Sequence, residues 1–319
     1  MAFLRGCGII GIDQQKKEKP LLPSSGGLTV AFGLLTGIMA YIALSTFILH
    51  NVINLSLMLA ASSTILIVVL VGLLDDINIK STKRRDSTGT EEFRVGLPQW
   101  LKPLLTLPAA IPLMAVSAGE SLITPPFIGM FELGLLYPLL LVPIAVLCVS
   151  NATNMLAGMN GLEASLGFLA SLSVGIYALL IGRVEGAIIA LALAAALLAF
   201  LKFNWYPAKI LPGDSLTYLI GATFVAAIII ANVEMFAVIV FIPWMVEAFL
   251  KLRGKFAVAS LGDLQPDGTL KSKYRKVYSL THLVMRSGRF REKQVTLILM
   301  GVELLFCLLA FAVYWYNIV

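Results

Sequence analysis

The sequence predicts an all-α polytopic membrane protein with about nine transmembrane helices and a long inner loop that carries a small β-hairpin. Three observations predict it. Of 319 residues, 59% are hydrophobic and 13% charged, and the mean hydropathy is +0.91; a soluble domain carries about 25% charged residues. Apolar segments of bilayer-crossing length recur along the chain. Lysine and arginine then sort almost entirely to one side of those segments.

In chain order the predicted spans are 28–49, 54–74, 98–117, 133–150, 161–181, 184–202, 214–232, 234–251 and 295–316. The third contains Lys102, Pro103, Pro108 and Pro112, an unfavourable mix for a helix interior. The fifth and sixth are separated only by Gly182 and Arg183, which forces a tight helical hairpin. The outer connection 118–132 contains the run from Leu122 through Pro125 and Pro126 to Ile128, which suits a small lip or hairpin. In the last inner loop, Pro266-Asp267-Gly268 is a turn signal between short strand-like stretches.

With the N-terminus inside, the inner side takes the tail before residue 28 and loops 75–97, 151–160, 203–213 and 252–294. Of 24 Lys and Arg residues, Arg183 alone falls outside. The net charge of +6 is therefore a topology signal, and nucleic-acid binding is not expected. No cleavable signal peptide is evident, so targeting falls to the first membrane segment. Cys7, Cys148 and Cys307 have neither disulfide nor zinc spacing and read as small buried hydrophobes. The chain reads as one integral membrane domain, 1–319, with its chemistry in the four inner loops.

Polar clusters gather on that inner side. Asp75 and Asp76 end the second span; adjacent carboxylates there need a cation or hydrogen-bond donors, unless they are simply a solvated helix end. Residues 151–163 form a polar run between two apolar stretches. Asn151 and Asn154 share a helical face, and their amide oxygens are hard ligands suited to magnesium. Gly158 and Gly161 allow close backbone approach. Asn160 offers a donor and an acceptor that match an imide-like base edge. A polar loop with helix caps is the alternative. Asp214, after Pro212-Gly213, is either an N-cap or a further inner carboxylate. Lys102, one turn into a span, either snorkels or meets an anion. Arg253 and Lys255 are topology charges or anion contacts, and Glu163 favours the positive end of its own helix. His50 and His282 receive no role. The set suits an anionic substrate with a divalent metal, and phosphoryl transfer needs chiefly positioning and charge neutralisation.

These residues resemble the polyprenyl-phosphate N-acetylhexosamine-1-phosphate transferases, and most of all the eukaryotic and archaeal UDP-GlcNAc–dolichyl-phosphate GlcNAc-1-phosphotransferases. The matching pieces are Pro23-Ser24-Ser25-Gly26-Gly27, Leu74-Asp75-Asp76, the run from Asn151 to Glu163, and Asn204-Trp205-Tyr206-Pro207 leading to Gly213-Asp214. They occur in the family's order over nearly the whole chain. The resemblance implies transfer of GlcNAc-1-phosphate from UDP-GlcNAc to a polyprenyl or dolichyl phosphate, releasing UMP, as the first membrane step of lipid-linked oligosaccharide synthesis for N-glycosylation. It implies Asn154 and Asp214 as ligands of Mg2+, with Mn2+ as a substitute, and Asn151 beside them. Asp75 and Asp76 face the lipid phosphate, and Lys102 and Arg253 contact the diphosphate. Gly158, Asn160 and Leu211 line the uracil pocket, with Ser24, Glu163 and Lys255 also on the substrate side. It further implies a catalytic face toward the cytosol, in the cell membrane of a prokaryote or archaeon or the endoplasmic reticulum membrane of a eukaryote, and leaves room for a homodimer.

Several positions depart from the family pattern. The family has ten spans with the N-terminus outside, so the span missing from this count would precede residue 1. Ile79 stands where the bacterial branch has a third acid, and Ala157 and Asn160 where it has aspartates. Gly254 replaces a histidine between basic residues, and Ser24 replaces a eukaryotic glutamate. Two other readings stay open at this level. A secondary transporter would need inverted repeats and midplane polar groups, and an inactive scaffold member of the family would bind the nucleotide sugar without turnover.

Overall fold

The computed structural model describes residues 1–77, 80–86, 89–95, 98, 100–123 and 129–315. Ile79 and residues 124–128 of the outer lip lie outside them. Helices α1 (Gly27–Leu49), α2 (Leu55–Ile77), α4 (Tyr137–Met155), α5 (Leu162–Leu180), α6 (Val184–Asn204), α7 (Gly213–Ala231) and α11 (Glu292–Tyr314) are long and apolar enough to span a bilayer. Between them lie α3 (Leu101–Ala115), α8 (Glu234–Val240), α9 (Ile242–Arg253) and α10 (Leu280–Ser287).

The difference from nine uniform spans has a local cause in each case. The third segment, α3, is too short to cross a hydrocarbon core of about 30 Å at about 1.5 Å per residue. Its prolines break it with a 3-10 turn at Leu107–Ala110. The eighth segment is two helices bent by 61°. Pro243, near the start of α9, has no N–H to continue the ladder from α8. The fourth span runs further inward than expected, to Met155, so Asn151 and Asn154 ride on the last helical turn rather than in a loop.

Helix α7 is the hub, with Ser215 through Ala231 all buried. Its neighbours approach closely because small residues face it, the usual basis of packing where lipid offers no hydrophobic drive. A Cβ on Gly72 of α2 would lie 2.4 Å from Ser215 Cα. That approach carries Asp75 and Asp76, one turn further on, to the mouth of α7.

Among the described residues, four antiparallel strand pairs decorate the bundle. β7 (Gly262–Leu264) and β8 (Leu270–Ser272) form the one expected in the last inner loop. Asp267 closes its turn by accepting from the Thr269 N–H at 3.0 Å and hydroxyl at 2.7 Å. β5 (Leu122–Ile123) pairs with β6 (Phe131–Glu132) in the outer connection. Two were not expected: β1 (Ile10–Ile12) with β2 (Leu21–Pro23), and β3 (Lys80–Asp86) with β4 (Gly89–Val95). The connections assigned to the outer side do meet at one end. Glu120 pairs with Arg183 at 2.9 Å and exchanges hydrogen bonds with Asn232, and the Asn54 N–H reaches Glu185 at 3.0 Å. All three cysteines are free; Cys307 is buried as expected, whereas Cys7 and Cys148 are exposed.

Candidate active site

At the other end of the bundle, four helix termini converge. Asp76 binds the start of α7. Its Oδ1 accepts from the Asp214 N–H at 2.7 Å, and its Oδ2 from the Ser215 N–H at 3.2 Å and the Ser25 hydroxyl at 2.6 Å. A carboxylate at a helix N-terminus satisfies donors that have no intrahelical partner. Gly213 has φ +71°, and a Cβ there would strike Asp76 Oδ2 at 2.4 Å. The Pro23–Gly27 motif is tied to the same place: Leu211 N–H donates to the Pro23 carbonyl at 2.8 Å, and Gly26 N–H to the Leu211 carbonyl at 3.1 Å.

Asp75 points elsewhere. Lys102 Nζ lies 2.6 Å from Asp75 Oδ2 and 2.7 Å from Asp214 Oδ2, so one ammonium bridges two carboxylates. Asn154 lies beside them, its Oδ1 accepting from the Thr217 hydroxyl at 2.9 Å and its Nδ2 donating to the Tyr218 hydroxyl at 3.2 Å. Asn151 donates from Nδ2 to the Leu147 carbonyl at 2.8 Å and to Thr106 Oγ1 at 3.2 Å, which turns its Oδ1 away from those two contacts.

Two cavities open on this cluster. One, of about 310 Å³, is lined by Ile10 to Gln14, Ser24, Asp76, Asn154, Ala157 to Asn160, Glu163, Leu211 to Asp214 and Leu261, among others. The second, of about 600 Å³, is lined by Trp100, Lys102, Asn151, Asn154, Asp214, Lys251, Lys255 and the Phe256 to Leu261 region. Both include Asn154, Ala157, Gly158, Asp214 and Leu261, so they are two lobes of one cleft with the Lys102 cluster near the junction.

The turn 156–161 forms the floor of the smaller lobe. Gly158 (φ +108°) and Gly161 (φ +77°) hold conformations that favour glycine. Glu163 folds back onto this turn, accepting from the Gly158 N–H at 2.6 Å, and so braces the floor. Asn160 lines the smaller lobe, and its amide is also held from within the protein. Its Nδ2 donates to Asp13 Oδ2 at 3.2 Å and its Oδ1 accepts from the Ala208 N–H at 3.0 Å. Both ends of the amide are engaged inside the protein, so Asn160 shapes the lobe.

The structure thus gathers Ser24, Asp75, Asp76, Lys102, Asn151, Asn154, Gly158, Asn160, Glu163, Leu211, Asp214 and Lys255 around one cleft. Arg253 is the exception: it is exposed at the end of α9 and is not part of the lining of either lobe. Lys251, two residues earlier, does line the larger lobe, but its ammonium is taken up inside the protein: it donates to the Val258 carbonyl and to Ser260 Oγ, both at 2.7 Å, and pairs with Glu247 at 3.6 Å. Helical phase accounts for the different placement of Arg253 and Lys251, since two residues apart on a helix face opposite ways. The N-terminal hairpin was also missed; its short strands carry only a weak alternating signal.

Among the described residues, no three Asp, Glu, His or Cys side chains converge as a metal cluster. The oxygens at the junction are hard ones: the carboxylate of Asp214, already paired with Lys102, and the amide oxygen of Asn154, which accepts from Thr217 and keeps a second lone pair. That mix fits magnesium, which uses one or two protein carboxylates and completes its shell with phosphate oxygens and water.

A family model, glycosyl transferase family 4, matches residues 57–232. The chain is 37% identical to a protein of Saccharolobus solfataricus assigned as a UDP-N-acetylglucosamine–dolichyl-phosphate N-acetylglucosaminephosphotransferase, over 94% of this chain and 87% of that one. It is 23% identical to the Dictyostelium discoideum UDP-N-acetylglucosamine–dolichyl-phosphate N-acetylglucosaminephosphotransferase, over 97% and 82%. A phospho-N-acetylmuramoyl-pentapeptide-transferase of Clostridium perfringens is 31% identical over 58% of each chain. The matched region runs from α2 to the end of α7 and contains the aspartate pair, Lys102, the 151–163 run and Asp214, so the chain belongs to glycosyl transferase family 4.

Proposed function

We propose that this enzyme transfers N-acetylglucosamine-1-phosphate from UDP-GlcNAc to dolichyl or another polyprenyl phosphate, at the cytosolic face of its membrane. The observation that carries the reading is Lys102, held between Asp75 and Asp214 near the junction of the two lobes. Lys102 also lines the larger lobe, where its ammonium can turn from a carboxylate to an oxygen of a diphosphate laid across the junction.

In this reading the nucleoside occupies the smaller lobe, over the Gly158–Gly161 floor and beside Leu211. The diphosphate lies across Lys102, and the sugar and acceptor enter the larger lobe. An oxygen of the lipid phosphate attacks the β-phosphorus, the bond between the β-phosphorus and the bridging oxygen breaks, and UMP leaves with that oxygen. The acceptor's second pKa is about 6, so it needs no strong base near neutral pH. Lys102 exchanges one carboxylate partner for phosphate oxygens and offsets the charge that gathers on UMP. Asp214 and Asn154 would hold magnesium, which neutralises phosphate charge when bound.

Asp76 is an unfavourable nucleophile, because both its oxygens accept hydrogen bonds from Ser25 and from the α7 start. Direct attack by the lipid phosphate therefore fits better than an aspartyl-phosphate route through Asp76. The test uses UDP-GlcNAc carrying 32P at the β-phosphate, with purified protein, dolichyl phosphate and Mg2+. The label should appear in a lipid-diphosphate-GlcNAc product and be absent from UMP. Retained donor binding with no labelled lipid on any polyprenyl acceptor would instead indicate an inactive scaffold.

A further inference from the structure

The smaller lobe owes its shape to Asn160, and Asn160 is held by two acids from distant parts of the chain. Its N–H donates to Glu292 Oε1 at 2.8 Å, and its side-chain amide to Asp13 Oδ2 at 3.2 Å. Asp13 is 6% exposed and Glu292 4%. Two buried carboxylates on one residue repel each other unless a cation is shared between them.

Lys16 is that cation. Its Nζ lies 3.3 Å from Asp13 Oδ2 and pairs with Glu292 Oε2. It also sits 4.4 Å from the centre of the Tyr206 ring, two residues before the Ala208 N–H that binds Asn160 Oδ1. The neighbouring Gln15 donates to the Gly158 carbonyl at 2.9 Å. The loop of the N-terminal hairpin, the 204–208 elbow and the start of α11 thus meet at Asn160 by way of one ammonium. Lys16 is not among the residues lining the lobe, whereas Asp13 and Asn160 are.

We propose that Lys16 is a positioning residue for the nucleotide lobe: by neutralising Asp13 and Glu292 it clasps the N-terminal hairpin onto Asn160 and fixes the lobe for an anionic nucleotide. The inference rests on the nucleotide-sugar reading above. Loss of the ammonium leaves two uncompensated carboxylates at the wall of the nucleoside's lobe and frees the hairpin from Asn160, so the defect should fall on the donor alone.

The test is steady-state kinetics and UMP titration on the full-length protein in lipid nanodiscs. Lys16→Met should raise the KM for UDP-GlcNAc and the Kd for UMP by about tenfold or more, since one partner of a buried charge cluster is gone. The kcat and the KM for lipid phosphate should stay within about twofold. Lys16→Arg should restore most of the donor affinity, and adding Asp13→Asn to Lys16→Met should recover part of it. A general loss of folded protein would lower kcat and leave both KM values alone. If Lys16→Met does not fold, the Lys16→Met/Asp13→Asn double variant stands in, with UMP binding expected to be weaker than in Lys16→Arg. Equal UMP binding by the wild type and the charge-removed variant overturns the clasp only. Absence of UMP binding to the wild type overturns the nucleotide reading and the clasp with it.

Discussion

Asp75 and Asp76 are neighbours on one helix with different tasks. Asp76 is spent on the fold: three donors from Ser25 and the start of α7 converge on it. Asp75 is spent on charge, against Lys102. The two therefore separate experimentally. Asp76→Ala should cost about 2 kcal/mol or more, the scale of a lost cap plus charge-assisted hydrogen bonds, and should lower activity through misplacement of Asp214. Asp75→Asn keeps its volume and should lower the transfer rate with little loss of stability. Thermal unfolding beside the rate of UMP release distinguishes them. Equal destabilisation by both changes would contradict the division. The pair itself was legible in the sequence, since adjacent acids at a helix end demand a cation or donors. Which acid took which was not, because that depends on the close approach of Gly72 to Ser215. The same holds for Asn160. Its importance was readable from an amide between glycines, but its partners Asp13, Ala208 and Glu292 lie far away in sequence.

At the scale of elements, the apolar periods predicted most helices, and the misses have physical reasons. Proline shortened the third segment and bent the eighth. The β1–β2 hairpin was invisible because its three-residue strands are fixed by contact with the site, not by their own pattern: a Cβ on Gly11 would lie 2.6 Å from Leu211 Cδ1. The region after α9 is held by buried polar groups. Glu247 accepts from the Leu280 N–H at 2.7 Å and the Ser279 hydroxyl at 3.1 Å, and the Thr281 hydroxyl donates to the Ser260 carbonyl at 2.6 Å. His282, given no role from sequence, is fully buried on α10 beside Tyr274. Burial, then the charge of Lys251, pushes its pKa down to about 4. An unfolded histidine takes its proton near pH 6.5. Between about 6.5 and about 4 the unfolded chain therefore binds more protons, and stability falls as pH drops through that window. Above it the contribution is fully present. His282→Gln should show a shallower loss of stability over the same window than the wild type, measured by thermal unfolding at a series of pH values. Parallel slopes for the two proteins would contradict this account.

At the scale of the whole molecule, a buried helix, α7, carries Asp214 to the cleft. The sorting of lysine and arginine was readable from sequence, and the cluster of Asn54, Glu120, Arg183, Glu185 and Asn232 at the opposite end agrees with it. The cleft was not readable as a shape, because its lobes are built from the N-terminal hairpin, the 156–163 turn and the segment after α9 together. In the proposed reaction this cleft joins a nucleotide sugar to a lipid phosphate through the Lys102, Asp214 and Asn154 junction. That reaction is tested most directly by mass measurement of the lipid product formed from UDP-GlcNAc and dolichyl phosphate, comparing the wild type with Asp214→Ala under saturating Mg2+. Lipid-diphosphate-GlcNAc is expected from the wild type and roughly a hundredfold less or lower from Asp214→Ala, the scale of losing a preorganised electrostatic group. Product at the wild-type rate from Asp214→Ala, or none from the wild type, would contradict it.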